Sequence, residues 1–134
     1  MFVAAVAAII FKGDKILAMK RSHTKDAGPG LWETLSGRVE ADEEPLEALK
    51  REIEEECGLE VEIDSRPVKA YQARRKGKPM VLIVYRARYL SGSVVRSLEH
   101  DDFAWVTPDE FAELSSLKKL VDVVYEASKL HSKV

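Results

Sequence analysis

Residues Gly37 to Leu59 read G-R-V-E-A-D-E-E-P-L-E-A-L-K-R-E-I-E-E-E-C-G-L. This stretch predicts a helix from about Pro45 to Cys57. Pro45 suits a first helical turn, where its missing N–H costs nothing. Asp42, Glu43 and Glu44 precede it at the positive end of the helix dipole. Gly58 suits the position just past the helix, where a positive φ is wanted. At about 100° per residue, Leu46, Leu49, Ile53 and Cys57 fall on one apolar stripe. Glu52, Glu55 and Glu56 fall on a second stripe beside it, while Glu47, Lys50 and Glu54 face elsewhere. The helix is expected to pack through its aliphatic stripe and to present three carboxylates along one edge.

Such an edge is costly alone. Like charges at i,i+3 and i,i+4 repel, and carboxylates in the last turns meet the negative end of the dipole. A hard divalent cation relieves both. Oxygen-only ligands suit Mg²⁺, with Mn²⁺ as a substitute, and substrate phosphates would complete the coordination shell. The competing reading is a solvated acidic helix face. Against it, the aliphatic stripe, the glycines and the spacing all agree. Arg51 lies beside the edge, within reach of Glu43 or a stripe carboxylate for a bidentate ion pair. A plain surface salt bridge is the alternative.

The fixed positions follow G-x5-E-x7-R-E-U-x-E-E-x-G-U, with U aliphatic. By chance this should arise in roughly one chain in 10^7 of this length. The segment resembles the Nudix box, the metal-binding signature of the Nudix hydrolases, including the MutT-like ones. These enzymes cleave nucleoside diphosphates linked to another group. The resemblance implies metal ligands at Glu52, Glu55 and Glu56, and orienting roles for Arg51 and Glu43. It implies a further metal contact from the backbone carbonyl of Ser36, the residue before Gly37. Ser36 stands where the family usually has the first of two glycines. The resemblance also implies an acid in the loop before Phe103-Ala104-Trp105-Val106, acting as metal ligand or base. Glu99 is the candidate, with Asp101 and Asp102 as substitutes and a solvated loop charge as the alternative.

The whole chain is consistent with that. Its 134 residues fit one domain, 1–134, with a sizeable core. A net charge of −2 gives no sign of a nucleic-acid polymer or an anionic membrane as partner. Cys57 is the only cysteine, which excludes an internal disulfide and fits a reducing compartment, the cytoplasm. The apolar start, Met1 to Phe11, lacks a basic n-region and is too short to span a membrane. A turn at Lys12-Gly13-Asp14-Lys15, then Ile16-Leu17-Ala18-Met19, makes it half of a hairpin. Strands are expected near 2–11, 15–21, 32–36, 60–74, 80–90 and 103–106. Helices are expected near 45–57 and 109–131, the second with a break at Ser115-Ser116, and loops at 22–31, 75–79 and 91–101. Strands on both sides of a helix, with a closing helix, give a mixed α/β or α+β sandwich. The resemblance sharpens this to the Nudix fold, a mixed β-sheet sandwiched between helices.

Outside the box, Lys20 and Arg21 close the second strand and are candidates, with Gly37, for binding substrate. Both cations would meet phosphates. A solvated strand end is the alternative for them. His100 is a candidate for proton transfer, against an incidental loop histidine. Trp32, Tyr71 and Tyr85 could stack on a base, against core packing. Arg74-Arg75-Lys76-Gly77-Lys78 reads as an exposed basic hairpin turn. The expected catalytic set is Glu52, Glu99, Arg51 and Glu43. The expected reaction is metal-dependent hydrolysis of a nucleotide phosphoanhydride. A triphosphate pyrophosphohydrolase releasing a monophosphate and pyrophosphate is the leading form. ADP-ribose or dinucleoside polyphosphate hydrolysis is an alternative. Members acting on those often carry a Pro or Tyr some 15–17 residues past the box, where this chain has Arg74-Arg75-Lys76. A non-catalytic nucleotide-binding module is an alternative of another class. A prenyl-diphosphate isomerase would be expected to carry a catalytic cysteine outside the box, which this chain lacks. A homodimer is a further expectation from the family.

Overall fold

The structure, a computed structural model, describes residues 2–23, 30–75, 77–95 and 98–131. Among the described residues, eight strands form one mixed sheet. They are β1 (Val3–Lys12), β2 (Lys15–Arg21), β3 (Trp32–Glu33), β4 (Leu35–Arg38), β5 (Glu60–Ile63), β6 (Lys69–Arg75), β7 (Lys78–Ser91) and β8 (His100–Val106). The helices are α1 (Pro45–Glu56), α2 (Pro108–Leu114) and α3 (Lys118–His131). Among the described residues, no helix is long and apolar enough to cross a membrane.

The apolar strand β1 is the hub. It turns into β2 through Gly13, whose φ of +64° suits glycine. It pairs antiparallel with β4 and runs parallel to β7, from Val3 opposite Met80 to Phe11 opposite Arg88. β7 in turn pairs antiparallel with β5 and β6, and β2 with β3 and β8. Side chains alternate along β1. Val6, Ala8 and Ile10 join Leu49, Ile53 and Cys57 of the α1 side in one core. Ala5, Ala7, Ile9 and Phe11 join Phe111, Leu120, Val123 and Val124 of the α2 and α3 side in the other. Burial on both faces explains the near-continuous apolar run of β1.

Helix α1 matches the expected span and its apolar stripe is inward. Leu49, Ile53 and Cys57 are buried, Leu46 packs half-buried against them, and Gly58 has a φ of +69°. The Cys57 thiol is pushed up in pKa, first by burial, and Sγ donates to the Ile53 carbonyl. The closing helix is broken as expected. Ser115 Oγ donates to the Trp32 carbonyl at 2.7 Å and accepts from Leu117 N.

Other bounds differ from the expectation. The stretch 60–74 is two strands, separated around Pro67, with the Asp64 side chain accepting from Arg66 N. Proline cannot donate to a ladder, and its predecessor is restricted as well. The stretch 32–36 divides at Thr34 and continues to Arg38, so Ser36 and Gly37 lie in a strand paired with Ala7 and Val6. The expected loop at 75–79 is the β6–β7 hairpin, with Arg75 opposite Lys78 and Gly77 at φ +77°. Lys76, and 24–29 of the expected loop at 22–31, lie outside the described residues. The expected loop at 91–101, of which 96–97 lie outside the described residues, is shorter, because Ser91 still belongs to β7 and His100 and Asp101 already belong to β8.

Candidate active site

Strand β4 passes beneath the edge of α1 that carries the glutamates. Any Cβ added at Gly37 would fall on the Glu52 carboxylate. The glycine is therefore explained by the room it leaves for that carboxylate rather than by a positive φ. Above this contact opens a cavity of about 1300 Å³. Its acidic part is lined by Glu33, Glu52, Glu55, Glu56 and Glu99, and Ser36, Gly37 and Arg21 also line it. The structure thus brings the predicted metal carboxylates, Ser36, Gly37 and Arg21 to one concavity. Lys20 is not among the residues lining it, while Tyr71 is. Tyr85 is buried in the α1-side core, and Trp32 packs half-buried against the other.

The three box carboxylates occupy different depths. Glu52 and Glu56 are buried, whereas the Glu55 side chain is 60% exposed at the rim. Glu52 is raised in pKa chiefly by burial, with Arg51 acting the other way. Glu56 is pushed up to about 10, first by burial, then by a hydrogen bond with Glu99 and repulsion from Glu52, Glu99 and Glu33. Its Oε2 is buried with no partner among the described residues.

Arg51 stands behind this wall and ties it together. Its Nε donates to Glu43 Oε2 at 2.8 Å and its Nη2 to Glu43 Oε1 at 3.0 Å, a bidentate pair. Nη1 donates to Glu52 Oε1 at 2.7 Å, and Nη2 also to the Arg38 carbonyl at 2.9 Å. The guanidinium holds Glu43 down at about 2, first through their hydrogen bond. A tight turn prepares Glu43 for this. Asp42 adopts a φ of 63°, and Glu40 N donates to Glu43 Oε1.

Of the acids near β8, Glu99 is the one that reaches the cluster, through its bond to Glu56. The substitutes are engaged elsewhere. Asp101 accepts from His23 N and pairs with His23 Nδ1, and Asp102 accepts from Phe103 N. His100 is not an incidental loop residue. It opens β8, is buried, and its ring bonds Glu33. Glu33 itself gave no signal in the sequence, because only the β2–β3 pairing carries it to the cavity.

Among the described residues, no three acidic, histidine or cysteine side chains are already close enough to grip one metal. The donor chemistry nevertheless fits a hard divalent cation. All ligating atoms would be oxygen, two of the carboxylates are buried against mutual repulsion, and Glu56 Oε2 has no other partner. Arg51 would keep Glu52 oriented while the others gather.

A family model described as the NUDIX domain matches residues 1–127. The chain is 34% identical to the CTP pyrophosphohydrolase of Escherichia coli K12 over 108 residues, covering 81% of this chain and 78% of the relative. The crystal structure of the MutT protein from Methanosarcina mazei Go1 superposes with a TM-score of 0.84 at 23% identity, covering 99% of this chain and 96% of that one. A C. elegans Ap4A hydrolase superposes with a TM-score of 0.87 at 20% identity, covering 98% and 99%. The two structural matches support the sandwich architecture.

Proposed function

This chain belongs to the NUDIX family and is a Nudix hydrolase acting on nucleotides, and we propose that it is a Mg²⁺-dependent nucleoside triphosphate pyrophosphohydrolase working as one domain over 1–134. The observation that carries this reading is the meeting of Glu52, Glu55, Glu56 and Glu99 at one cavity, with Arg51 fixing Glu52 from behind. A solvated acidic face would need neither the buried carboxylates nor the glycine beneath them.

Glu52, Glu55, Glu56, Glu99 and the Ser36 carbonyl would hold the cation. Bound there, Mg²⁺ would supply Lewis-acid stabilisation of phosphate charge and would lower the pKa of a water. Glu52 or Glu99 accepts the water's proton at a carboxylate oxygen. The water oxygen bonds to phosphorus, the bridging P–O bond breaks, and pyrophosphate leaves with its electron pair, giving a nucleoside monophosphate. Arg51 and Glu43 act through Glu52 by fixing its orientation. Arg21 meets a phosphate at the wall. The similarity to a CTP pyrophosphohydrolase supports a triphosphate over ADP-ribose or a dinucleoside polyphosphate.

Ion-exchange analysis of products from a turned-over triphosphate tests the bond cleaved. Monophosphate with pyrophosphate is expected. Diphosphate with inorganic phosphate would contradict the reading. Tight Mg²⁺-dependent nucleotide binding by calorimetry, with no turnover of any nucleotide, would indicate a binding module instead.

A further inference from the structure

Three shielded side chains on adjacent strands form a connected set beside the metal carboxylates. Strand β2 lies between β3 and β8, with Arg21 opposite His100 and Met19 opposite Glu33. Arg21 Nη1 donates to Glu33 Oε1 and Oε2 at 3.4 and 3.2 Å. His100 Nε2 lies 3.1 Å from Glu33 Oε2. A carboxylate only accepts, so His100 Nε2–H donates to Glu33, while Nδ1 is buried with no partner among the described residues. The Arg21, Glu33 and His100 side chains are only 15%, 10% and 2% exposed. Exposed pairs of this kind contribute little, but shielded charge-assisted bonds fix geometry.

Packing alone gives no reason for a carboxylate here. Glu33 faces a cavity already crowded with acids, and its charge opposes the ionisation of Glu56. What Glu33 does is hold Arg21. The ladder also changes register between Lys20 and Arg21, the kind of irregularity that re-aims a side chain next to a site. Arg21 lines the cavity, whereas its neighbour Lys20 does not.

We propose that Glu33 and His100 are positioning residues that fix the Arg21 guanidinium at the cavity wall, as the cation that meets a substrate phosphate. This rests on the reading of the cavity as a phosphoanhydride-hydrolysing site. His100 anchors one oxygen of Glu33 from the buried side, and Glu33 then limits the directions open to Arg21. The arrangement links β8, β3 and β2 to the phosphate.

Calorimetric titration of inorganic tripolyphosphate with Mg²⁺ tests this without requiring turnover. Arg21→Gln and Glu33→Gln should each weaken binding roughly tenfold. The double variant should bind no worse than Arg21→Gln, because Glu33 acts through Arg21. His100→Gln, whose amide can replace the Nε2–H donor, should stay within about twofold of wild type, while His100→Phe should resemble Glu33→Gln. Losses that add in the double variant would overturn the proposal in favour of a separate structural role. So would a Glu33→Gln protein that melts earlier but binds normally. Failure of the wild type to bind tripolyphosphate would also overturn it, since Arg21 would then have no phosphate to meet. The hydrolase reading is judged separately, by turnover of nucleotides.

Discussion

Gly37 and Glu52 share one volume: the space that a Cβ on residue 37 would take is filled by the Glu52 carboxylate. The carboxylate can sit at this place only with glycine in the strand. The same contact sets the height of Glu52 above β4 and beside Ser36. Gly37→Ala should therefore push the carboxylate aside without disturbing the fold. Turnover is expected to fall about 10^2-fold, the scale of a misplacement near 1 Å. Steady-state kinetics with circular dichroism checks this; wild-type turnover in the alanine variant would show that Glu52 need not sit there.

Arg51→Lys keeps the charge but loses the fork that grips Glu43, Glu52 and the Arg38 carbonyl together. Activity should drop about 10- to 100-fold, as for other groups that orient metal ligands. Acid stability should change too. Glu43 is held at about 2 in the folded protein against an ordinary 4.5. A lowered carboxylate stabilises the fold above its ordinary pKa, and that contribution disappears as pH falls from about 4.5 toward 2. In Arg51→Lys the acid-unfolding midpoint, followed by circular dichroism, should move to higher pH. An unchanged midpoint would mean that the pair adds nothing to the fold.

Glu56 has the opposite sign. Burial and neighbouring acids raise it to about 10 from 4.5, so the folded protein holds a proton there that the unfolded chain releases. Its contribution is complete below pH 4.5 and is lost as pH rises toward 10. The metal-free protein should lose thermal stability between pH 6 and 9, and Glu56→Gln should flatten that slope. At pH 9 the variant should melt higher than wild type by about 5 °C or more. It should also lose the stabilisation that Mg²⁺ gives the wild type. Parallel slopes in differential scanning calorimetry would rule out a strained, proton-holding Glu56.

Much of this site was legible in the sequence, because its central piece is local. Helical periodicity alone separates Glu52, Glu55 and Glu56 from Glu54 and predicts the Leu49–Ile53–Cys57 stripe. Pro45 and Gly58 mark the helix ends. The hairpin at Gly13 and the break at Ser115 are likewise short-range signals. What periodicity does not carry is pairing between distant strands. Glu33 and His100 are 67 positions apart and meet only because β2 separates their strands by a single ladder on each side. Asp64-Ser65-Arg66-Pro67 held a turn signal, but the apolar and aromatic residues around it read as one long strand. Depth was also hidden: equal spacing on the helix does not reveal that Glu55 reaches solvent while Glu52 and Glu56 are enclosed.

In the proposed reaction the α1 carboxylates run a Mg²⁺-dependent hydrolysis. A turnover screen of canonical and oxidised nucleoside triphosphates, ADP-ribose, dinucleoside polyphosphates and nucleotide sugars tests it most directly, with and without Mg²⁺, in wild type and Glu52→Gln. Monophosphate and pyrophosphate are expected from at least one triphosphate, abolished by chelation and reduced at least about 10^2-fold in Glu52→Gln. Near wild-type turnover in a folded Glu52→Gln protein would contradict it.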